Sequence, residues 1–464
     1  MPPASMLRHN YEAISGRLML RHPTNRERSM FDASTAVGWA PNGAAGAGPS
    51  VARRHLAGTY GLFVHLVPHL TVDSTGRPVS LLDLGRRFDV EAFVADLVDF
   101  GVDFVRVTAW HQGMYPLYPS TVMDRWRGEG TSSPRDIIGD LITALEGTGI
   151  ALQLYTHPRD GHDFPTREQV STGWGDGALK EAPDPDASTF DFPTWNDFVV
   201  EAYEELLQRY GSRVQSIYLD EGSERADSEW VVDFPRLTRT IRRLAPNAVI
   251  QQNYYGNLYG ADVADHEYCR WGEFADPAVG TRWPAYRSRS VSTVVGSLWW
   301  ASNASPEFEP GFSPEDLYRY LVLQVAVNES GGGLSLAAGP LADGGWEGGI
   351  RNLLVEVGRL LGPVAASVVG ARPSTLWPTA DLSTVDSVGW GVATEDDEYT
   401  YLHVFRARDG RLRVPLPQGG VAPRSVTRLN FNSDVSVHVV DGEMVLEEQD
   451  PAPHGVDTVF RVRF

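Results

Sequence analysis

From residue 59 onward, apolar runs of strand length alternate with segments whose apolar positions recur at helical spacing. Tyr60-Gly61-Leu62-Phe63-Val64-His65-Leu66, closed by Pro68, predicts a buried strand. Phe88–Gly101 carries Phe93, Val94, Leu97, Val98 and Phe100 on one helical face and ends in glycine. Val102–Thr108 and Ile150–His157 predict further strands, and Asp136–Leu145 an amphipathic helix between them. A long helix over Trp195–Tyr210 leads into Val214-Gln215-Ser216-Ile217-Tyr218-Leu219-Asp220, an apolar strand ending in a carboxylate and followed by Glu221-Gly222. Then follow a helix at Phe234–Leu244, a strand at Ala248–Asn253, a helix at Leu317–Val327, a strand at Gly333–Ala338 and a last helix at Ile350–Leu361.

Strand and helix repeated this often imply a parallel sheet closed on itself. Near residue 375 the pattern changes to short alternating runs, such as Thr400–Phe405, Val435–Val440 and Thr458–Val462, separated by Asp-Gly or Gly-Gly turns. The expected fold is α/β: a (β/α)8-type TIM barrel over 58–368, then a C-terminal antiparallel β-sandwich over 369–464. Residues 1–57, rich in Arg, Pro, Gly and Ala, are expected to form an N-terminal arm without chemistry. A loop at 158–193, longer than a compact connection needs, is expected to belong to a site.

Composition narrows the chemistry. With 60 acidic and 40 basic residues the net charge is −20, which disfavours nucleic acid or an anionic membrane as partner. Lys180 is the only lysine, which argues against Schiff-base and P-loop chemistry; Cys269 is the only cysteine, which excludes an internal disulfide and any Cys-rich metal site. No apolar leader or spanning segment is evident, so a cytoplasmic location is expected, with a homo-oligomer possible.

Barrel enzymes place their chemistry at the C-terminal ends of the strands, where this chain puts His65, His111, His157, Asp220 and Asn253. Asp220 there is either a reacting carboxylate or a local cap. Two chemistries suit the set. Three His with Asp220 would suit a metal hydrolase, but no HxH or HExxH spacing supports one, so no metal or other cofactor is expected. Glycoside hydrolysis needs two carboxyl groups, and Asp220 can be the first.

Several segments resemble the α-L-fucosidases of glycoside hydrolase family 29. Gly61-Leu62-Phe63-Val64-His65 is similar to that family's "GIFIHWG", and His111-Gln112-Gly113-Met114-Tyr115-Pro116-Leu117-Tyr118-Pro119-Ser120 to "HHDGFxLWxS". Arg135–Leu141 resembles "RDIVGEL", Glu205–Gly211 followed by Ile217–Asp220 resembles "ELLTRYG" before "IWFDG", and Gly331-Gly332 with Gly339-Pro340 and Asp343-Gly344 resembles "GGNLLLNVGPxPDG". The resemblance, in order over 59–365, implies a retaining α-glycosidase acting on a glycoside or short oligosaccharide by double displacement. It implies Asp220 as nucleophile and His65 and His111 on sugar hydroxyls. Gln112 for the second His, Leu66-Val67 for Trp-Gly, Gly113 for Asp and Ala337 for Asn depart from the pattern and put fucose itself in question.

For the acid/base, Glu267 in Asp265-His266-Glu267-Tyr268 resembles "TPEY" on a variable loop after the fifth strand; Glu273, flanked by Trp271-Gly272 and Phe274, competes with it. Glu221 and Glu224 lie beside the nucleophile, and Trp110, Tyr115, Tyr155, Trp299 and Trp300 are candidate walls for the sugar. A carbohydrate-binding barrel without turnover, and a related glycosidase for an arabinoside or galactoside, stay open.

Overall fold

Strands that are apolar on both faces are stable only when one face meets a helical layer and the other a closed interior. The computed structural model describes residues 60–175, 184–220, 230–253, 260–268, 290–298, 301–311, 313–327, 333–379, 390–406, 411–417, 419–429, 431, 433–447 and 455–464, of which the side chains of 264, 266–268, 290–294 and 327 are not described. Eight parallel strands pair in sequence order and close on themselves: β1 (Tyr60–Val64), β2 (Phe104–Thr108), β3 (Ala151–Thr156), β4 (Ser216–Leu219), β5 (Val249–Asn253), β6 (Val263–Tyr268), β7 (Ser290–Val294) and β8 (Leu334–Ala337). Closure sets Leu62 opposite Val105 on one side and opposite Leu336 on the other. Among the described residues, helices follow β1, β2, β3, β4, β7 and β8, which makes this an α/β barrel.

The two-residue period of the strands divides their side chains cleanly. Leu62, Val64, Val105, Val107, Leu152, Leu154, Ile217, Leu219, Ile250, Leu334 and Leu336 join the main apolar core with the helices. Phe63, Tyr155, Tyr218 and Ala337 form a separate inner cluster. Below these rings lies a polar layer centred on Arg106, whose guanidinium donates to Asp265 at 2.8 Å, Gln251 at 2.7 Å and Gln153 at 3.2 Å, all buried. The same guanidinium lies 4.4 Å from the Tyr218 ring centre and 4.8 Å from that of Phe63, so polar and aromatic layers are in direct contact. Gly61 is required in β1: a Cβ there would lie 2.6 Å from the Phe104 ring.

The helices Phe234–Leu244 and Ile350–Leu361 begin and end where periodicity places them. Three short helices have too few turns to show a period: Leu81–Arg87, capped by Ser80, Thr121–Arg127, capped by Ser120, and Thr166–Thr172. The last of these and a 3-10 turn at Asp160–Asp163 give order to the first part of the stretch expected as loop 158–193. A second correction concerns Glu267, expected on a loop: its backbone lies in strand β6, whose polar composition suits a barrel with a polar interior layer.

After the barrel come β9 (Arg372–Pro373), β10 (Gly391–Glu395), β11 (Thr400–Val404), β12 (Leu412–Pro415), β13 (Ser425–Arg428), β14 (Ser433–Asp434), β15 (Ser436–Val440), β16 (Glu443–Glu447) and β17 (Thr458–Arg463). They form antiparallel sheets in the orders β14-β13-β17-β11-β10-β9 and β12-β16-β15. Leu402, Val404 and Phe460 of the larger sheet share an apolar cluster with Val414, Met444 and Leu446 of the smaller. On its other face the larger sheet gives Val392, Tyr401 and Val459 to the barrel core. Residues 1–57, the expected arm, lie outside the described residues. Among the described residues no helix is long and apolar enough to cross a membrane.

Removing Arg106 would take its charged partner from the buried Asp265 carboxylate. Arg106→Met is expected to lower unfolding stability by about 3–5 kcal/mol, whereas Arg106→Met combined with Asp265→Leu recovers more than half of that loss. Denaturant unfolding of the wild type, both single variants and the double variant measures this directly.

Candidate active site

At the C-terminal end of the barrel the inward parity of the strands continues beyond the aromatic layer: Phe63 leads to His65, Tyr155 to His157, Tyr218 to Asp220 and Gln251 to Asn253. Asp220 lies one residue past β4, and its N–H donates to the Thr156 carbonyl at 2.9 Å, which fixes its backbone to β3. Its carboxylate is almost wholly buried and held at both oxygens. Asn253 Nδ2 donates to Oδ1 at 2.8 Å, and the Tyr155 hydroxyl donates to Oδ2 in a short contact. Two donors on one carboxylate set the direction of its lone pairs.

Tyr155 in turn is fixed by its ring. It stacks on Tyr218 at 5.4 Å with a 20° interplanar angle, and lies 4.7 Å from the His65 ring and 5.2 Å from that of His111. His65 and His111 meet edge to face at 5.2 Å, and His111 stacks on His157 at 5.1 Å. His65 is buried, and its pKa is driven well below the ordinary imidazole value by burial, then by His111, His157 and Arg106. A neutral imidazole can both donate and accept, which suits a hydroxylated ligand.

The loop that carries His111 is strained. Gln112, Gly113 and Met114 have φ of 28°, 73° and 44°, in the left-handed region. A Cβ on Gly113 would also lie 2.7 Å from the Tyr115 ring, so glycine is required there. Met114 is anchored below by Arg127 Nη1, which donates to its carbonyl at 2.7 Å. Trp110 is buried, packs edge-on against Tyr203 at 5.1 Å, and donates its indole N–H to the His157 carbonyl at 3.1 Å. It therefore braces the loops after β2 and β3 from behind.

Sequence reasoning missed Asp160. The i,i+3 spacing from His157 into a helical turn was the available signal, but the segment reads as loop. Its carboxylate lies between two rings, 2.9 Å from His111 Nδ1 and 3.1 Å from His157 Nδ1. Among the described residues, the groups with metal-ligand spacing are His111, His157 and Asp160, and Asp160, His162 and Asp163. Neither contains Asp220, so the proposed cation set of His65, His111, His157 and Asp220 is not the one brought together. Glu221, Glu224, Glu273, Trp299 and Trp300, and the Glu267 side chain, lie outside the described residues.

A family model described as Alpha-L-fucosidase matches residues 84–363, more than half of the chain. The chain belongs to the α-L-fucosidase family. Alpha-L-fucosidase 1 of Arabidopsis thaliana is 24% identical over 269 residues, 56% of this chain and 43% of that protein, so the match spans less than half of the relative's length. Among solved structures, this α-L-fucosidase-family chain is similar to isoenzyme 1 from Paenibacillus thiaminolyticus, with a TM-score of 0.65, 17% identity, and coverage of 89% of this chain and 98% of that one. It is also similar to the Bacteroides thetaiotaomicron enzyme trapped as a covalent intermediate, with a TM-score of 0.63, 16% identity, and coverage of 90% and 96%. The Thermotoga maritima α-fucosidase superposes with a TM-score of 0.58, 14% identity, and coverage of 90% and 99%.

The depressed pKa of His65 has a stability consequence. The unfolded chain protonates this residue near 6.5 and the folded chain does not, so its contribution is complete above that pH and diminishes as pH falls below it. His65→Gln removes the titration. The drop in Tm between about pH 7.5 and pH 5.5 is expected to be smaller in His65→Gln than in the wild type, as read by calorimetry at the two pH values.

Proposed function

We propose that this family member is a retaining glycoside hydrolase that cleaves a terminal α-L-fucoside or a closely related sugar. The observation that carries the reading is the Asp220 carboxylate at the C-terminal end of the barrel, held by Tyr155 and Asn253 beside a wall of histidines. Asp220 attacks C1 while the glycosidic oxygen takes a proton from a Glu and leaves, forming an ester between sugar and Asp220. The same Glu then takes a proton from water, the water oxygen bonds to C1, and Asp220 departs as carboxylate. The Bacteroides thetaiotaomicron relative, trapped as a covalent intermediate with 2-fluoro-fucosyl fluoride, supports this route.

For the proton donor the choice is Glu267 or Glu273. Glu267, whose backbone lies in β6, is our first choice. His65, His111 and His157 bind or back the hydroxyls, with Gln112, Asn253, Glu221 and Trp299 completing the proposed surroundings and Trp110 bracing them from behind. Gln112 in place of a second His alters that hydroxyl pattern, so a related arabinoside or galactoside is the second candidate sugar. We assign the arm to 1–57, the (β/α)8-type barrel to 58–368 and the β-sandwich to 369–464.

A panel of aryl fucosides, arabinosides, galactosides and xylosides of both anomers tests the reading. Release from an α-L-fucoside or a related α-glycoside is expected, with the product first appearing as the same anomer by NMR. Asp220→Asn is expected to lower kcat by at least about 10³-fold with the fold intact. Binding without release from any glycoside, or unchanged turnover in Asp220→Asn, would overturn it.

A further inference from the structure

We propose that Asp160 is a positioning residue: its buried carboxylate fixes the tautomer and tilt of His111, so that Nε2 of that ring is presented as a hydrogen-bond acceptor to one hydroxyl of the sugar. This rests on the glycosidase reading above and extends it to a residue with no role in the bond-breaking steps.

Three observations meet here. Asp160 is 1% exposed, and its Oδ2 lies 2.9 Å from His111 Nδ1. An ionised carboxylate has no hydrogen to donate, so the proton of that contact belongs to the imidazole, and a neutral ring then keeps a bare Nε2. Burial works against the charge on Asp160, but His157, then His111 and His162, bring its pKa below the ordinary carboxylate value. The second observation is the partition of exposure. The His111 side chain keeps 14% of its surface, whereas His157 and Asp160 keep 2% each, so His111 is the group presented and the other two are its mount.

The third is the stacking. His111 and His157 lie 5.1 Å apart and within 19° of parallel, and Nδ1 of His157 is 3.1 Å from the other Asp160 oxygen. Parallel rings direct their Nδ1 groups side by side, which suits the two oxygens of one carboxylate. A metal ion needs lone pairs that converge on a point. At His157 the Arg159 N–H, 3.4 Å from Nδ1, favours the opposite tautomer, but the carboxylate is nearer and charged. The bridge also ties the strained loop after β2 to the turn after β3, and so supports φ values that the chain would otherwise relax.

The recognised chemistry is a hydroxyl donating its hydrogen to His111 Nε2, on an uncharged sugar. The experiment uses the full chain labelled with 15N and free of ligand. Long-range 1H–15N correlations are expected to show His111 protonated at Nδ1 and bare at Nε2 in the wild type, and a shifted or mixed tautomer in Asp160→Asn. In kinetics, Asp160→Asn is expected to lower kcat/KM by about 10- to 100-fold on the parent aryl glycoside. Across a set of monodeoxy analogues, one is expected for which variant and wild type differ by less than about 2-fold. Protonation of wild-type His111 at Nε2 overturns the proposal without any variant having to fold. An equal loss on every deoxy analogue also overturns it, because a merely structural role would act alike on all. So does a Zn2+ titration of the wild type that finds one tight site abolished by Asp160→Asn, since the carboxylate would then be a metal ligand. If no glycoside in the panel is hydrolysed, the enzymatic reading fails while the tautomer measurement still decides the role of Asp160.

Discussion

The ion pair between Arg106 and Asp265 is the constraint on which the barrel interior depends. A guanidinium inside a closed sheet has to be neutralised and given acceptors, and Asp265, Gln251 and Gln153 supply them from different strands. Satisfying one buried cation therefore links β2, β3, β5 and β6 across the barrel. Its upper surface is a flat charge on which Phe63 and Tyr218 rest. Without that floor the aromatic layer would lose the cation it rests on.

The same aromatic layer is the mount for the Asp220 carboxylate. Tyr155 is at once a member of the packed ring cluster and the donor to Asp220 Oδ2, so its hydroxyl cannot swing away without disrupting Tyr218, His65 and His111. Asn253, from the neighbouring β5, restrains the other oxygen. A carboxylate oriented by two rigid donors has little freedom left to lose, which is how a site built on strands gains precision over one built on loops.

The C-terminal sheets extend the barrel by an apolar contact with a buried polar centre. His403 Nδ1 lies 2.6 Å from Asp457 Oδ2, which also accepts the Tyr318 hydroxyl at 3.0 Å; Tyr318 comes from the barrel helix Pro314–Val327 and the other two residues from the sheet side. Tyr318 and His403 converge on one oxygen of the buried Asp457, and that geometry specifies one docking orientation. Its location explains why Thr394 and His403 occur on strands whose neighbours are apolar: Thr394 donates to the Ser367 carbonyl at 2.6 Å just past the last barrel helix.

The order of strands and helices, the antiparallel strands of the C-terminal part and the placing of Asp220 at a strand tip were all legible in the sequence, because each depends on a local period or on a strand boundary. The polar strands β6 and β7 were not, since Val263–Tyr268 and Ser290–Val294 are short and carry too few large apolar residues to read as buried strands. The short helices were lost for want of length. In the candidate site, His65, His111, His157, Asp220 and Asn253 were all visible as strand-end residues, and the fold brings them to one end of the barrel. Only the tertiary structure could show the Tyr155 hydroxyl donating to Asp220, the Trp110 indole donating to the His157 carbonyl and Asp160 paired with two histidines. Those relations join β2, β3 and β4 through space, and a one-dimensional pattern carries no record of which side chains meet across a closed sheet.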